Sequence, residues 1–270
     1  MRELSLFSGA GGGLLGSKIL GWETVGYVEF NEYCQRVIAQ RIRDGWLDRA
    51  PIFGDIRTFL SDGYAAIYKG MVDVVSGGFP CQPFSVAGKR AAADDPRDMW
   101  PATLEVIRQI RPEWALLENV PGLLSAGADV HGGYFGTILR DLAEAGYDAE
   151  WTVLGADDVG APHRRKRLWI LAHATKERLE GSKPVGERFA ERSRPRNSGA
   201  NVPEPRCWDG KRPRREIGGE AWASWWNPEP PLGRVVNGLA HRVDRLKALG
   251  NGQVPQTMAT AFLELYRRTR

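Results

Sequence analysis

"ELSLFSGAGGGLLG", residues 3–16, is the stretch that decides the fold. Its first six residues form a short apolar run of the kind that makes a strand. Glycines at 9, 11, 12 and 13 then let the backbone turn sharply and approach a ligand closely. Leu14 and Leu15 open a helical pattern directly afterwards. Because position 14 is Leu, the spacing is not G-x-G-x-x-G, and a pyrophosphate-binding dinucleotide site fits poorly.

Outward from this unit the same alternation repeats. Further strand-like runs are "ETVGYVE", "VDVVSGG", "WALLENV", "WTVLGA" and "LWILAH". Helical patterns fall near Gly12–Leu20, Asn31–Arg43, Thr58–Tyr68, Pro101–Ile110 and Tyr134–Ala145. The fold class expected is α/β, a mainly parallel sheet with helices on both faces. Ligands of such sheets bind at the carboxyl ends of strands, where the glycines and acids of this chain fall.

Residues 174–232 read differently. They are rich in Pro, Gly and Arg with little periodicity, and they hold Trp222, Trp225 and Trp226 in close succession. That composition predicts a small, loop-rich second domain after a first domain over residues 1–173. The Trp cluster suits either a hydrophobic knot or a docking surface. Residues 233–270 end in "VPQTMATAFLELYRR", an amphipathic helix expected to return to the first domain.

The composition of the 270 residues is that of a soluble globular protein, 42% hydrophobic and 26% charged. No apolar run approaches the roughly 18 residues needed to span a membrane. The start does not read as a signal peptide. Cys34, Cys81 and Cys207 are widely spaced and form neither a disulfide framework nor a metal pattern, so a cytoplasmic location is expected. Between Lys176 and Arg215 there are 12 Lys or Arg against 6 Asp or Glu, which favours a polyanionic partner.

Acids sit after successive strands. Glu29 is the right kind of residue to hold a ribose diol, and Asp55 in "FGDI" to accept from an exocyclic amine. Together with the glycine turn they favour a nucleoside-bearing cofactor. Cys81, in "GGFPCQPFSVAG", lies just beyond a strand end. A thiol there can be a packing residue, part of a metal site or a nucleophile. Glu118 and Asn119 end another strand; Arg165 and Arg167, two apart before a strand, point to one face; Asn251 lies between glycines.

These motifs, in this order, resemble those of the cytosine-5 DNA methyltransferase family over nearly the whole chain. The resemblance implies a Rossmann-like, S-adenosylmethionine-dependent fold with a small target-recognition domain. It also implies methylation of carbon 5 of a cytosine in duplex DNA, without a metal. By this resemblance Cys81 is the nucleophile, Glu118 the acid that contacts the target ring, and Arg165 and Arg167 the catalytic Arg-x-Arg pair. The loop of Phe7, Ser8, Gly9, Ala10, Gly11 and Gly12 becomes the donor loop, with Glu29, Phe30, Asp55, Ile56, Gly78, Pro80, Asn251 and Val254 around it. Gln82, Ser85, Lys89, Arg90, Arg97 and Asn119 become DNA contacts. A monomer is implied, with a cognate restriction endonuclease or none.

Other classes fit less well. An amino-methyltransferase would carry Pro-Pro-aromatic where this chain reads Pro-Cys-Gln, and a multi-site RNA cytosine methyltransferase would carry a second cysteine near "LLENVPG". A non-catalytic DNA-binding relative would not need Cys81, Glu118 and Arg167 together. The chain departs from the family pattern at Ser5, where many relatives have Asp, at His163 in place of Gln, and in "HRVDRLKALGN" before the last motif.

Overall fold

The computed structural model describes residues 1–80, 98–126, 133–175, Asp244, Ala248 and 250–270. Seven strands form one sheet: β1 (Arg2–Leu6), β2 (Glu23–Val28), β3 (Ile52–Phe53), β4 (Val74–Gly77), β5 (Trp114–Asn119), β6 (Tyr147–Leu154) and β7 (Arg167–Ala174). Their order is β3-β2-β1-β4-β5-β7-β6. The first five run parallel, and β7 is antiparallel to both β5 and β6. The sheet is thus mainly parallel, as the strand–helix alternation predicts.

Alternate residues of the inner strands feed two cores, because successive side chains leave a strand on opposite faces. Val75, Leu117 and Ile170 join one core with residues of α3 (Ile56–Ser61), α4 (Tyr64–Ile67), α5 (Trp100–Ile110) and α6 (Gly133–Glu144). Their neighbours Val74, Leu116, Trp169 and Leu171 join the other with Met258, Phe262 and Leu265 of α7 (Pro255–Arg268). Between α1 (Gly12–Ile19), α2 (Glu32–Arg43) and β2, a third cluster gathers Leu14, Tyr27 and Ile38. Helices therefore cover both faces.

Two details differ from the sequence reading. The helix expected over Thr58–Tyr68 is two short helices, because Gly63 takes a left-handed φ of 77° and breaks the run. Strand β3 has only two residues, too few for any periodic signal, and joins the edge through Tyr27–Ile52 and Val28–Phe53 pairing.

One carboxylate ties four elements together. Glu3 on β1 is fully buried and accepts hydrogen bonds from Ser17 of α1, Thr24 of β2 and Ser76 of β4. Burial raises its pKa, opposed by those three hydroxyls.

Contacts divide the chain into Met1–Thr175 with Gly238–Arg270, and Lys176–Asn237. Most of residues 174–232, with their arginines and tryptophans, lie outside the described residues. Among the described residues no helix is long and apolar enough to cross a membrane.

Candidate active site

Strands β1, β2, β4 and β5 end at one level: Leu6 stands opposite Val28 and Gly77, and Gly77 opposite Leu117. From β1 the chain builds outward through β2 to β3, then crosses to β4 on the other side. A crevice forms where the connections diverge. The cavity there is lined by residues 5–9, Gly13, residues 76–78, Glu118 and residues 251–253. Counted out to its open mouth, with the solvent there included, it holds about 370 Å³.

Its first wall is the glycine loop. Phe7, a non-glycine residue, is held at φ 49°, and Gly9 and Gly11 are left-handed at 56° and 96°. The Ser8 hydroxyl bonds back to Ser5, and the Gly9 N–H donates to Glu29 Oε2 at 2.6 Å. The other oxygen of Glu29 accepts from the Asn31 N–H at 2.8 Å. Glu29 thus fastens the loop after β1 to the end of β2, with the Phe30 ring exposed beside it. Asp55 caps α3 and pairs with the Arg57 guanidinium at 2.6 Å. That hydrogen bond holds its carboxyl below the usual carboxylate range. A ligand amine at Asp55 would have to share it with Arg57.

The opposite wall holds the acid. Glu118 is buried at the end of β5, and because β7 runs antiparallel, Asn119 pairs with Leu168 and brings Arg167 alongside. Arg167 Nε meets Glu118 Oε1 at 2.7 Å. Burial raises the Glu118 pKa; Arg167, Arg165 and a hydrogen bond from Gln253 pull it back. Arg165 spends its guanidinium elsewhere, donating to the carbonyls of Gly250 at 2.8 Å and Gly252 at 2.6 Å. It clamps the segment before α7 rather than reaching into the cavity. Asn119, expected from the resemblance to contact DNA, is buried and donates to the Phe79 carbonyl at 3.1 Å. It braces the strand end that leads into Pro80.

Of the residues expected around a donor, Phe7, Ser8, Gly9, Gly78 and Asn251 line the cavity. Ala10, Gly11, Gly12, Glu29, Phe30, Asp55, Ile56, Pro80 and Val254 stand outside that lining. Ile56 is buried in the core, and the Val254 carbonyl starts α7 by accepting from Met258 N–H at 3.0 Å. Cys81, Gln82, Ser85, Lys89, Arg90 and Arg97 lie outside the described residues. Leu6, Ser76, Gly77, Gly252 and Gln253 also line the cavity without having been singled out from the sequence, and Ser5 and Gly13, named there, were not counted among the donor residues. Gly13 and Gln253 sit inside motifs already singled out; Ser76 carries no local signal beyond its place in a strand.

Among the described residues no group of three or more His, Cys, Asp or Glu is arranged to hold a metal. The model of the family "C-5 cytosine-specific DNA methylase" matches residues 1–209. The type II methyltransferase M.NgoMIV of Neisseria gonorrhoeae is 34% identical over 170 residues, 63% of this chain and 51% of the relative. M.AquIA of a Picosynechococcus strain is 32% identical over 196 residues, covering 68% of this chain and 76% of the relative. Most curated relatives are matched over about half their length or less. The crystal structure of the S. pombe Dnmt2 methyltransferase shares the fold, with a TM-score of 0.50 at 22% identity over 74% of this chain and 57% of that one. With a family model spanning well over half of its residues and a relative matched over three quarters of its length, the chain belongs to the C-5 cytosine-specific DNA methylase family.

Proposed function

We propose that the protein methylates carbon 5 of a cytosine flipped out of duplex DNA, using S-adenosylmethionine. The observation that carries this reading is the buried Glu118, paired with the half-buried Arg167 and lining one cavity with the glycine loop. Lining of glycine backbone and small hydroxyls fits a nucleoside-bearing donor, with the exposed Phe30 ring and Glu29 close to the loop. When bound, that donor supplies an electrophilic methyl group.

The remaining work falls to the chain. Carbon 5 of cytosine is a poor nucleophile until the ring loses aromaticity. Addition of the Cys81 thiolate to carbon 6 moves electron density to carbon 5. Glu118, its pKa raised by burial, shares a proton with ring nitrogen 3 as charge develops there. Arg167 fixes the Glu118 carboxylate and presents positive charge to the ring carbonyl or a neighbouring phosphate. Once carbon 5 carries the methyl group, loss of its proton expels the thiolate and restores the aromatic ring. A stacked duplex hides both faces of the base, so flipping must come first.

Gln82, Ser85, Lys89, Arg90 and Arg97 are proposed to meet DNA, and residues 174–232 to read its sequence. The protein is proposed to act as a cytoplasmic monomer, with or without a cognate endonuclease. Incubation with donor labelled on its methyl group and duplex DNA should place label on carbon 5 of cytosine. Label on the exocyclic amine would reject the reading.

A further inference from the structure

Gln253 occupies a place that three glycines keep open. A Cβ on Gly12 would lie 2.2 Å from the Gln253 carbonyl oxygen, and one on Gly13 would lie 2.3 Å from its Oε1. A Cβ on Gly78 would lie 2.6 Å from Glu118 Oε2 and 3.2 Å from Gln253 Nε2. Donor loop, β4 end and C-terminal segment therefore converge on one side chain. Gln253 lines the same cavity as the glycine loop, and its amide and the buried Glu118 carboxylate converge on Gly78. The backbone just before it is pinned by Arg165 through Gly250 and Gly252. Glu118 is thus held from two sides, by Arg167 on Oε1 and by the Gln253 amide.

We propose that Gln253 is a positioning residue for Glu118, through which the C-terminal segment sets the orientation and proton affinity of the acid. The amide is neutral, so it aims the carboxylate without adding a third charge to the two guanidiniums. Among the described residues, Arg165 and Arg167 are the charged groups that act on Glu118. Losing the Gln253 hydrogen bond removes a contact that favours the ionised form, so Glu118 should titrate at higher pH.

This inference rests on the proposed function but is tested apart from it. In full-length protein with ¹³C-labelled glutamate side chains, the Glu118 carboxyl is titrated by NMR in wild type, Gln253→Leu and Gln253→Glu. Both variants should move its midpoint upward. Gln253→Glu should move it further, because that side chain keeps the size of glutamine but sets a second carboxyl against Glu118. In methyl transfer to duplex DNA, Gln253→Leu should lose about tenfold in kcat, the scale of one hydrogen bond to a charged group. Its alkaline limb should shift to higher pH. A Gln253→Leu chain that fails to fold leaves Gln253→Glu to carry the titration. An unmoved Glu118 midpoint in a folded variant overturns the proposal, whatever the activity. Moved midpoints in a protein whose wild type labels no cytosine would instead uphold the positioning role and reject the proposed reaction.

Discussion

Cys81 and Glu118 are proposed to carry the chemistry in different ways, and each can be removed alone. Cys81→Ser should abolish turnover, because a hydroxyl is far less ionised than a thiol at neutral pH. Duplex containing 5-fluorocytosine should trap the wild type covalently and leave the variant free; equal trapping would acquit Cys81. Glu118→Gln keeps the shape of the side chain but cannot exchange a proton, and should lower kcat by about 10² to 10⁴ with donor binding retained. The wild-type pH profile follows from the sign of the Glu118 shift. Burial raises its pKa, so the protonated form persists above the ordinary carboxylate range and activity should decline as pH rises beyond it. A profile falling toward acid through that range instead would mean that the ionised form is the working one. Both candidates were legible because each stands in a short motif of unusual composition. Gln253 was not: an amide two residues past Asn251 gains meaning only when the chain's far ends meet.

At the scale of elements, the glycines of α1 serve helix packing as much as ligand approach. A Cβ on Gly16 would lie 2.7 Å from Met258 Sδ and 2.9 Å from the Pro255 carbonyl, so α1 and α7 touch backbone to side chain. Gly16→Ala should cost about 1–3 kcal/mol of stability by overpacking. Gly122→Ala, where the added methyl meets nothing within 4 Å, is its neutral control in urea melts. Glu3 makes the other inter-element prediction. Its folded pKa is raised, so the stability it contributes is complete below the unfolded carboxylate pKa and is lost as pH rises through the folded value. The advantage of wild type over Glu3→Gln in urea melts should shrink with rising pH. A constant difference would show that Glu3 titrates normally. Alternation of apolar runs made most strands readable, yet nothing local announced that Glu3, third in the chain, would be buried. Three hydroxyls distant in sequence decide that, each harmless to read as a surface residue.

For the whole molecule, the sheet and cavity belong to residues 1–175 and 250–270, whereas the Arg-rich and Trp-rich composition belongs to 174–232. Sequence choice is therefore expected to reside in that stretch. Replacing it with the equivalent segment of a relative that methylates another site should change the methylated motif in bisulfite sequencing; an unchanged motif would move recognition to the sheet domain. DNA binding should weaken steeply with salt if phosphates supply much of the affinity. The order of strands could be read only in outline, because adjacency of β5 to β7 and their antiparallel sense depend on a connection that no periodicity describes. The cavity has a further consequence in time. Its glycine loop is made before residues 174–232, whereas residues 251–253 and the helix behind them are made after that stretch. A polypeptide halted on the ribosome before Gln253 owns every proposed nucleophile and acid named above, yet only half of the cavity proposed for the methyl donor. Nascent chains should thus be silent toward DNA until translation has passed α7, and nonsense alleles ending short of it should leave the genome unmarked.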